Sequence, residues 1–189
     1  FGRKMERVGR NISAMGDTWS RRVALPIVAG LGLATKAAID EEKEMTLLAV
    51  ALRNTAQATD EQVAATERWI TATQNATGIS DGQLRPALAN LVRVTHDISA
   101  AQKLMGTAMD ISVAKGKPLE TVTMAIAKAY NGNIGSLGRL GIATKNAAGE
   151  TLSFEQVMAN AAKTFGGSAA EAADTTAGKL AILKARFAD

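Results

Sequence analysis

The stretch DISAAQKLMGTAMDISVAKG, residues 97–116, decides the fold class. Asp97 is a residue type that favours the N-cap of a helix, and Gly116 is a typical C-terminal cap. Between them, apolar side chains recur every three or four residues, which is the spacing of one helix face. The apolar positions are Ile98, Ala101, Leu104, Met105, Ala108 and Ile111. The stretch therefore predicts one amphipathic helix that ends at a glycine.

Helix signals of the same kind recur along the chain. Capping boxes are predicted at 59–62, 80–83 and 153–156, and Pro118 suits the first turn of another helix. Pro86 fits less well, because a proline inside a helix deletes a backbone hydrogen bond; the helix there is expected to start later or to kink. Hydrophobic residues make up 47% of the chain but aromatic residues only 4%, so small and aliphatic side chains must form the core. The predicted fold is all-α, a multi-helix domain of short amphipathic helices with small-residue packing.

The residues of 40–52 and of 133–152 allow more specific predictions. Met45, Leu48, Ala49 and Leu52 share one predicted helix face, and the acidic residues of 40–44 suit the start of that helix. The glycine-rich residues 133–142 predict a short helix with tight turns, and residues 142–152 a small β-hairpin.

Three regions are expected: a basic amphipathic helix at 1–22, a short apolar segment interrupted by Gly and Pro at 23–36, and a helical core domain at 37–189. The chain is interpreted as a piece of a longer protein.

Residues 1–22 combine an apolar seam with all of the chain's net positive charge of +4, so the remainder of the chain is neutral. The seam follows the alternating three- and four-residue spacing of a coiled coil, and it comprises Phe1, Met5, Val8, Ile12, Met15 and Trp19. The predicted basic contact face comprises Arg3, Lys4, Arg7, Arg10, Arg21 and Arg22. The seam is interpreted either as an oligomer interface or as a helix face packed on its own domain. The basic residues form either a contact for anionic groups or a solvated face.

The apolar segment that follows is too short and too interrupted for a membrane-spanning helix, which needs about 20 apolar residues. One interpretation is a buried turn that leads into a core helix. The alternative is insertion into a bilayer, for which the candidate residues are Leu25, Ile27, Val28, Leu31 and Leu33.

Little in the sequence points to catalysis. The chain has no cysteine and one histidine, which excludes thiol chemistry and multi-histidine metal sites. His96 is followed by Asp97, but adjacent helical residues do not face each other. Glu41, Glu42 and Glu44 have no histidine partner, and the glycines of 135–141 lack the lysine of a phosphate loop. We therefore predict no enzymatic activity, no metal, no cofactor and no specific recognition of nucleic acid.

The order of several short motifs resembles the core region of tail tape measure proteins from long-tailed, siphophage-like bacteriophages. The motifs are LPI at 25–27, AAIDEEKEM at 37–45, GIS at 78–80 followed by Leu84, Leu88 and Leu91, Asp97 followed by Ala101, Leu104-Met105 and Ala108, GKPLETV at 116–122, AKAYNG at 127–132, LGRLGI at 137–142, and DTTAGKL at 174–180. They extend over nearly the whole sequence.

This resemblance implies a structural protein of the virion, inside the phage tail or tail tip, and in the host cytoplasm during assembly. It would set tail length, associate with itself, with a trimer favoured, and contact tail-tube and tail-tip or baseplate hub proteins. It would leave the tail for DNA delivery. One alternative function is a membrane-active segment that helps form the DNA passage through the host envelope, and a less favoured alternative is a cell-wall hydrolase module.

Overall fold

The computed structural model describes the backbone of residues 25–186 and the side chains of residues 39–183. This part of the chain is helical, as predicted. The helices are α1 (Leu25–Ala56), α2 (Asp60–Thr77), α3 (Asp81–Thr95), α4 (Ile98–Lys115), α5 (Leu119–Tyr130), α6 (Gly135–Gly138), α7 (Phe154–Phe165), α8 (Ser168–Asp174) and α9 (Thr176–Arg186). The chain divides into two compact units, residues 1–43 and 44–189. In the first unit, the described residues belong to α1.

Helix α4 lies at the centre of the second unit. It packs against α3, α5, α7 and α8, while α9 packs on α2 and α8. Asp97 caps α4 through a 2.7 Å hydrogen bond from the backbone N–H of Ala100, and Gly116 ends it with a φ of 59°. The residues predicted for its apolar face are buried or packed against the core. The helix predicted from residues 97–116 is therefore confirmed and organises the core.

Alanine fills much of this core, as the composition predicts. Large buried side chains such as Leu88, Met105 and Ile126 alternate with small residues at the helix contacts. The buried alanines of the core cluster include Ala87, Ala101, Ala108, Ala125, Ala129 and Ala161. Small side chains let helix backbones approach closely, so several short helices can share one core.

The capping predictions are confirmed at two of three positions. Thr59 and Ser153 each form a full capping box with the glutamine three residues later. The box predicted at Ser80 is wrong, since its side chain makes no capping hydrogen bond. The backbone N–H of Gln83, which the box would use, donates to the backbone carbonyl of Ser80 at 2.9 Å, and the N–H of Asp81 donates to the buried side chain of Gln74 at 2.7 Å. The helix still begins at Asp81, and Pro86 lies inside it. The expected later start of this helix is therefore not observed.

Helix α1 differs from the prediction in its start and in its buried face. It begins at Leu25, so residues 25–34 form helix rather than a turn; Pro26 is tolerated because the first residues of a helix need no intrahelical N–H bond. The acidic residues of 40–44 consequently lie well inside the helix. Leu48, Ala51 and Leu52 form the buried face, whereas Met45 is 41% exposed. Of the second unit, α1 contributes the segment from residue 44 onward.

The predicted hairpin at 142–152 is reduced to a tight turn. Lys145 and Thr151 form an isolated antiparallel bridge, and the backbone N–H of Leu152 donates to the carbonyl of Thr144 at 2.9 Å. The Asn146 side chain accepts hydrogen bonds from the backbone N–H groups of Ala148 and Glu150. This side chain closes the turn, so extended strands are not needed. The short helix predicted in the glycine-rich residues 133–142 is present as α6.

Candidate functional site

Arg85 is the centre of a buried ionic cluster between α2 and α3. Its side chain is 6% exposed, and it donates hydrogen bonds to Glu67 of α2 at 3.1 Å and to Asp81 of α3 at 2.5 Å. Asp81 lies one helical turn before Arg85, while Glu67 belongs to the preceding helix. The cluster thus ties the first turn of α3 to the middle of α2.

The environment of Arg85 keeps its guanidinium charged. Burial acts to lower the pKa of Arg85, but the hydrogen bond to Glu67 and the charges of Glu67 and Asp81 outweigh it and raise this pKa above its ordinary value. A permanent cation held between two carboxylates cannot serve as an acid or base near neutral pH. The cluster has the character of a structural clamp.

A small cavity of about 180 Å³ adjoins this cluster. Leu47, Leu48, Arg85, Pro86 and Ala89 form part of its wall. The charged side chains around it are Glu44, Arg85, Arg93 and Glu120, so acidic and basic groups are balanced. A balanced lining of this kind selects neither an anionic nor a cationic ligand.

Exposed apolar side chains mark two surfaces of the second unit. The first, which we call the α1 surface, comprises Leu47 and Val50, with exposed fractions of 50% and 45%. The second, the α9 surface, comprises Leu180 and Leu183, each about half exposed. Large apolar side chains grouped on one helix face are typical of surfaces that bind another protein. These surfaces are the best candidates for function among the described residues.

The residues considered for catalysis are not brought into a catalytic arrangement. His96 ends α3 with a positive φ of 55°, and its exposed ring lies 3.4 Å from the carbonyl oxygen of Thr55. Asp97 is used as the helix cap of α4. Among the described residues, no group of three or more His, Cys, Asp or Glu side chains is arranged to hold a metal ion.

The predicted oligomer seam, from Phe1 to Trp19, and the predicted basic face lie outside the described residues. The predicted membrane-inserting residues of 25–33 lie on the described backbone of α1, but their side chains are outside the described set. Within the described helices, none is long and apolar enough to cross a membrane.

Sequence reasoning missed the ionic cluster of Arg85. A local signal existed for one half of it, because Asp81 and Arg85 have the four-residue spacing of a helical ion pair. The contact with Glu67 joins two helices and has no local signal. The exposed leucines of α9 were also missed, although Leu180 and Leu183 have the three-residue spacing of one helix face.

Comparison with known proteins identified no relative: no family model, curated protein or solved structure matches this chain.

Proposed function

We propose that this chain is a structural assembly protein, the core region of a phage tail tape measure protein, and that it acts by associating with copies of itself. The motif order from residue 25 to residue 180 supports the family. The observation that carries self-association is the α1 surface, which leaves two large apolar side chains in solvent on a helix whose other face is buried.

The energetics of the α1 surface favour a protein partner. Fully burying an aliphatic side chain contributes about 1.5–3 kcal/mol, and Leu47 and Val50 each retain roughly half of their surface for that purpose. Covering both would therefore contribute about 1.5–3 kcal/mol on each copy. That gain is too small to hold two copies together alone, so several such surfaces must act together, as they do in a symmetric oligomer.

The test is the mass of the chain in solution, measured by light scattering over a range of concentrations. We expect an oligomer, with a trimer favoured, and we expect Leu47→Glu with Val50→Glu to lower its mass to that of the monomer. The matched control is Thr71→Glu with Asn160→Glu, which adds the same charge at exposed polar positions of α2 and α7. A chain that stays monomeric at every concentration would refute self-association.

Within this proposal, the remaining partners are tail-tube and tail-tip or baseplate hub proteins, and the location is the interior of the phage tail.

A second candidate function is membrane activity during DNA delivery. One observation favours it: α1 continues without a break through Pro26, Gly30 and Gly32, so the apolar residues of 25–33 share one helix. Leakage of anionic vesicles that disappears on deletion of residues 21–34 would support it. Absence of vesicle binding at low salt would refute it.

A further inference from the structure

We infer that Asn131 is a site of spontaneous deamidation, and that the last turn of α5 controls the rate of this reaction. The inference is independent of the proposed function. Asn131 is followed by Gly132, and no other asparagine of the sequence precedes a glycine. A side chain on the following residue crowds the backbone nitrogen that attacks the asparagine, and glycine has none. Asn131 therefore meets less steric resistance than the asparagines at 54, 75, 90, 133, 146 and 160.

Water is the only co-reactant of this modification. The deprotonated backbone nitrogen of Gly132 attacks Cγ of Asn131, a C–N bond forms, and the side-chain amide leaves as ammonia. The product is a five-membered succinimide ring. Water then opens the ring at either of its carbonyl carbons and leaves an aspartate or an isoaspartate. Each event consumes one water, releases one ammonia and adds one negative charge to the chain.

The site is open to solvent, but its backbone is held in one conformation. Asn131 and Gly132 are exposed, and a Cβ at Gly132 would lie within 4 Å of no described residue other than its chain neighbours. The N–H of Gly132 donates to the carbonyl of Ala129, and the N–H of Asn133 to that of Lys128, each at 2.9 Å. Together with the φ of 95° at Gly132, these bonds form the glycine turn that closes many helices. The attacking nitrogen is thus already engaged in a hydrogen bond.

Contacts outside α5 hold this turn closed. The ring of Tyr130 packs edge-on against Phe154 at the start of α7, with 5.2 Å between the ring centres. The hydroxyl of Ser136 in α6 lies 2.7 Å from the carbonyl oxygens of both Ala125 and Asn133. Opening the turn must disturb these contacts. The rate in the folded chain is therefore the rate of the free peptide multiplied by the fraction of time that the turn is open.

The products fit the turn less well than asparagine does. An aspartate places a carboxylate at the C-terminal end of α5, where the helix dipole is already negative. An isoaspartate adds one carbon to the main chain, which displaces the N–H of Gly132 from its acceptor. Deamidation therefore loosens the end of α5 permanently.

The test follows deamidation of the purified chain in mildly alkaline buffer over several weeks. Trypsin releases residues 129–139, and tandem mass spectrometry assigns the added mass to Asn131 or to Asn133. The reference is a synthetic peptide of residues 127–135, which has the same local sequence without the fold. We expect product at Asn131 and none at Asn133. The rate should be about tenfold or more below that of the peptide, because the turn must open first.

Two variants and one exchange measurement examine the turn itself. Phe154→Leu removes the ring contact without changing the sequence around the site, and it should raise the deamidation rate several-fold toward that of the peptide. Met124→Leu is the matched control, since Met124 is exposed on α5, and it should leave the rate unchanged. If circular dichroism shows Phe154→Leu to be unfolded, Ser136→Ala takes its place. In hydrogen exchange, the protection factor of the Gly132 amide should equal the slowing of deamidation relative to the peptide.

The outcomes separate the site from its control. No product at Asn131 after the time that the peptide rate and the Gly132 protection factor together predict overturns the site. Equal rates in the folded chain and the peptide, or an unchanged rate in Phe154→Leu, overturn the control by the turn. Product at Asn133 or Asn146 at the same rate as at Asn131 overturns the selectivity for asparagine before glycine.

Discussion

Replacing Arg85 by methionine should destabilise the protein more than any nearby exposed substitution. Methionine preserves much of the buried volume, but it leaves Glu67 and Asp81 facing each other without a cation. Removing one partner of a buried ion pair costs about 3–5 kcal/mol. The two carboxylates keep 21% and 20% of their side-chain surface in solvent, so they remain partly hydrated. We therefore expect a loss near the lower end, about 3 kcal/mol.

The assay is urea unfolding at neutral pH, followed by far-UV circular dichroism. The midpoint should fall while the slope stays constant, as expected when stability changes but the surface exposed on unfolding does not. Adding Glu67→Gln and Asp81→Asn to Arg85→Met should restore more than half of the lost stability, because the two acids that Arg85 neutralised are then uncharged as well. Arg93→Met is the control on the same helix, at an exposed position, and should change stability by less than about 0.5 kcal/mol.

Two results would refute this reasoning. A loss below about 1 kcal/mol for Arg85→Met would place the cluster with ordinary surface ion pairs. A triple variant less stable than the single one would mean that hydrogen bonding of the two acids, and not their charge, holds α2 against α3.

Three further predictions concern single residues. Gly178→Ala should lower the free energy of unfolding by about 1–3 kcal/mol in thermal unfolding, because its Cβ would collide with the carbonyl oxygen of Ala172 and lie 2.7 Å from the Cα of Ala173, both in α8. Gly106→Ala, with open space around it, should stabilise α4 by about 1 kcal/mol. Asp110→Ala should lower the free energy of unfolding by about 1 kcal/mol and speed amide hydrogen exchange in α8, because the Asp110 carboxylate accepts a hydrogen bond from the backbone N–H of Ala169 at 3.0 Å. Unchanged exchange in α8 would contradict this prediction. Glu155 accepts hydrogen bonds from its own backbone N–H and from a serine hydroxyl, which lower its pKa below 4.5. The ionised Glu155 side chain therefore stabilises the folded protein above pH 4.5, and this stabilisation is lost as the pH falls through the lowered pKa. The melting temperatures of the parent protein and of Glu155→Gln should consequently converge in acid.

The parts of the fold that could be predicted from sequence are those set by neighbouring residues. Asp97 caps α4, and Thr59 caps α2, through bonds that span three residues. Ser80 shows where residue type and spacing are not enough: the backbone N–H of Gln83, which the capping box would use, donates instead to the backbone carbonyl of Ser80 at 2.9 Å. The prediction was wrong because the first turn of the helix satisfies this N–H with a backbone oxygen, and Gln74 of the preceding helix accepts the N–H of Asp81.

The candidate site could be predicted less well than the helices. On α1, helical periodicity correctly placed Leu48 and Leu52 in the core, but it assigned Met45 to the same face. Periodicity gives the spacing of a face, while its width and centre depend on which neighbours cover it. The pairing of Glu67 with Arg85 depends on how α2 meets α3, and no spacing along the chain encodes that angle.

The central position of α4 has a consequence for synthesis. Its apolar face is covered in part by α7 and α8, and the bond from Asp110 to Ala169 joins residues 59 positions apart. On a ribosome that adds about 5–20 residues per second, that face waits about 3–12 s for the segments that will cover it. During this interval the nascent chain presents Met105 and Ile111 to whatever is nearby. A chaperone that covers the growing polypeptide until α8 emerges would therefore protect this apolar face from contact with other chains.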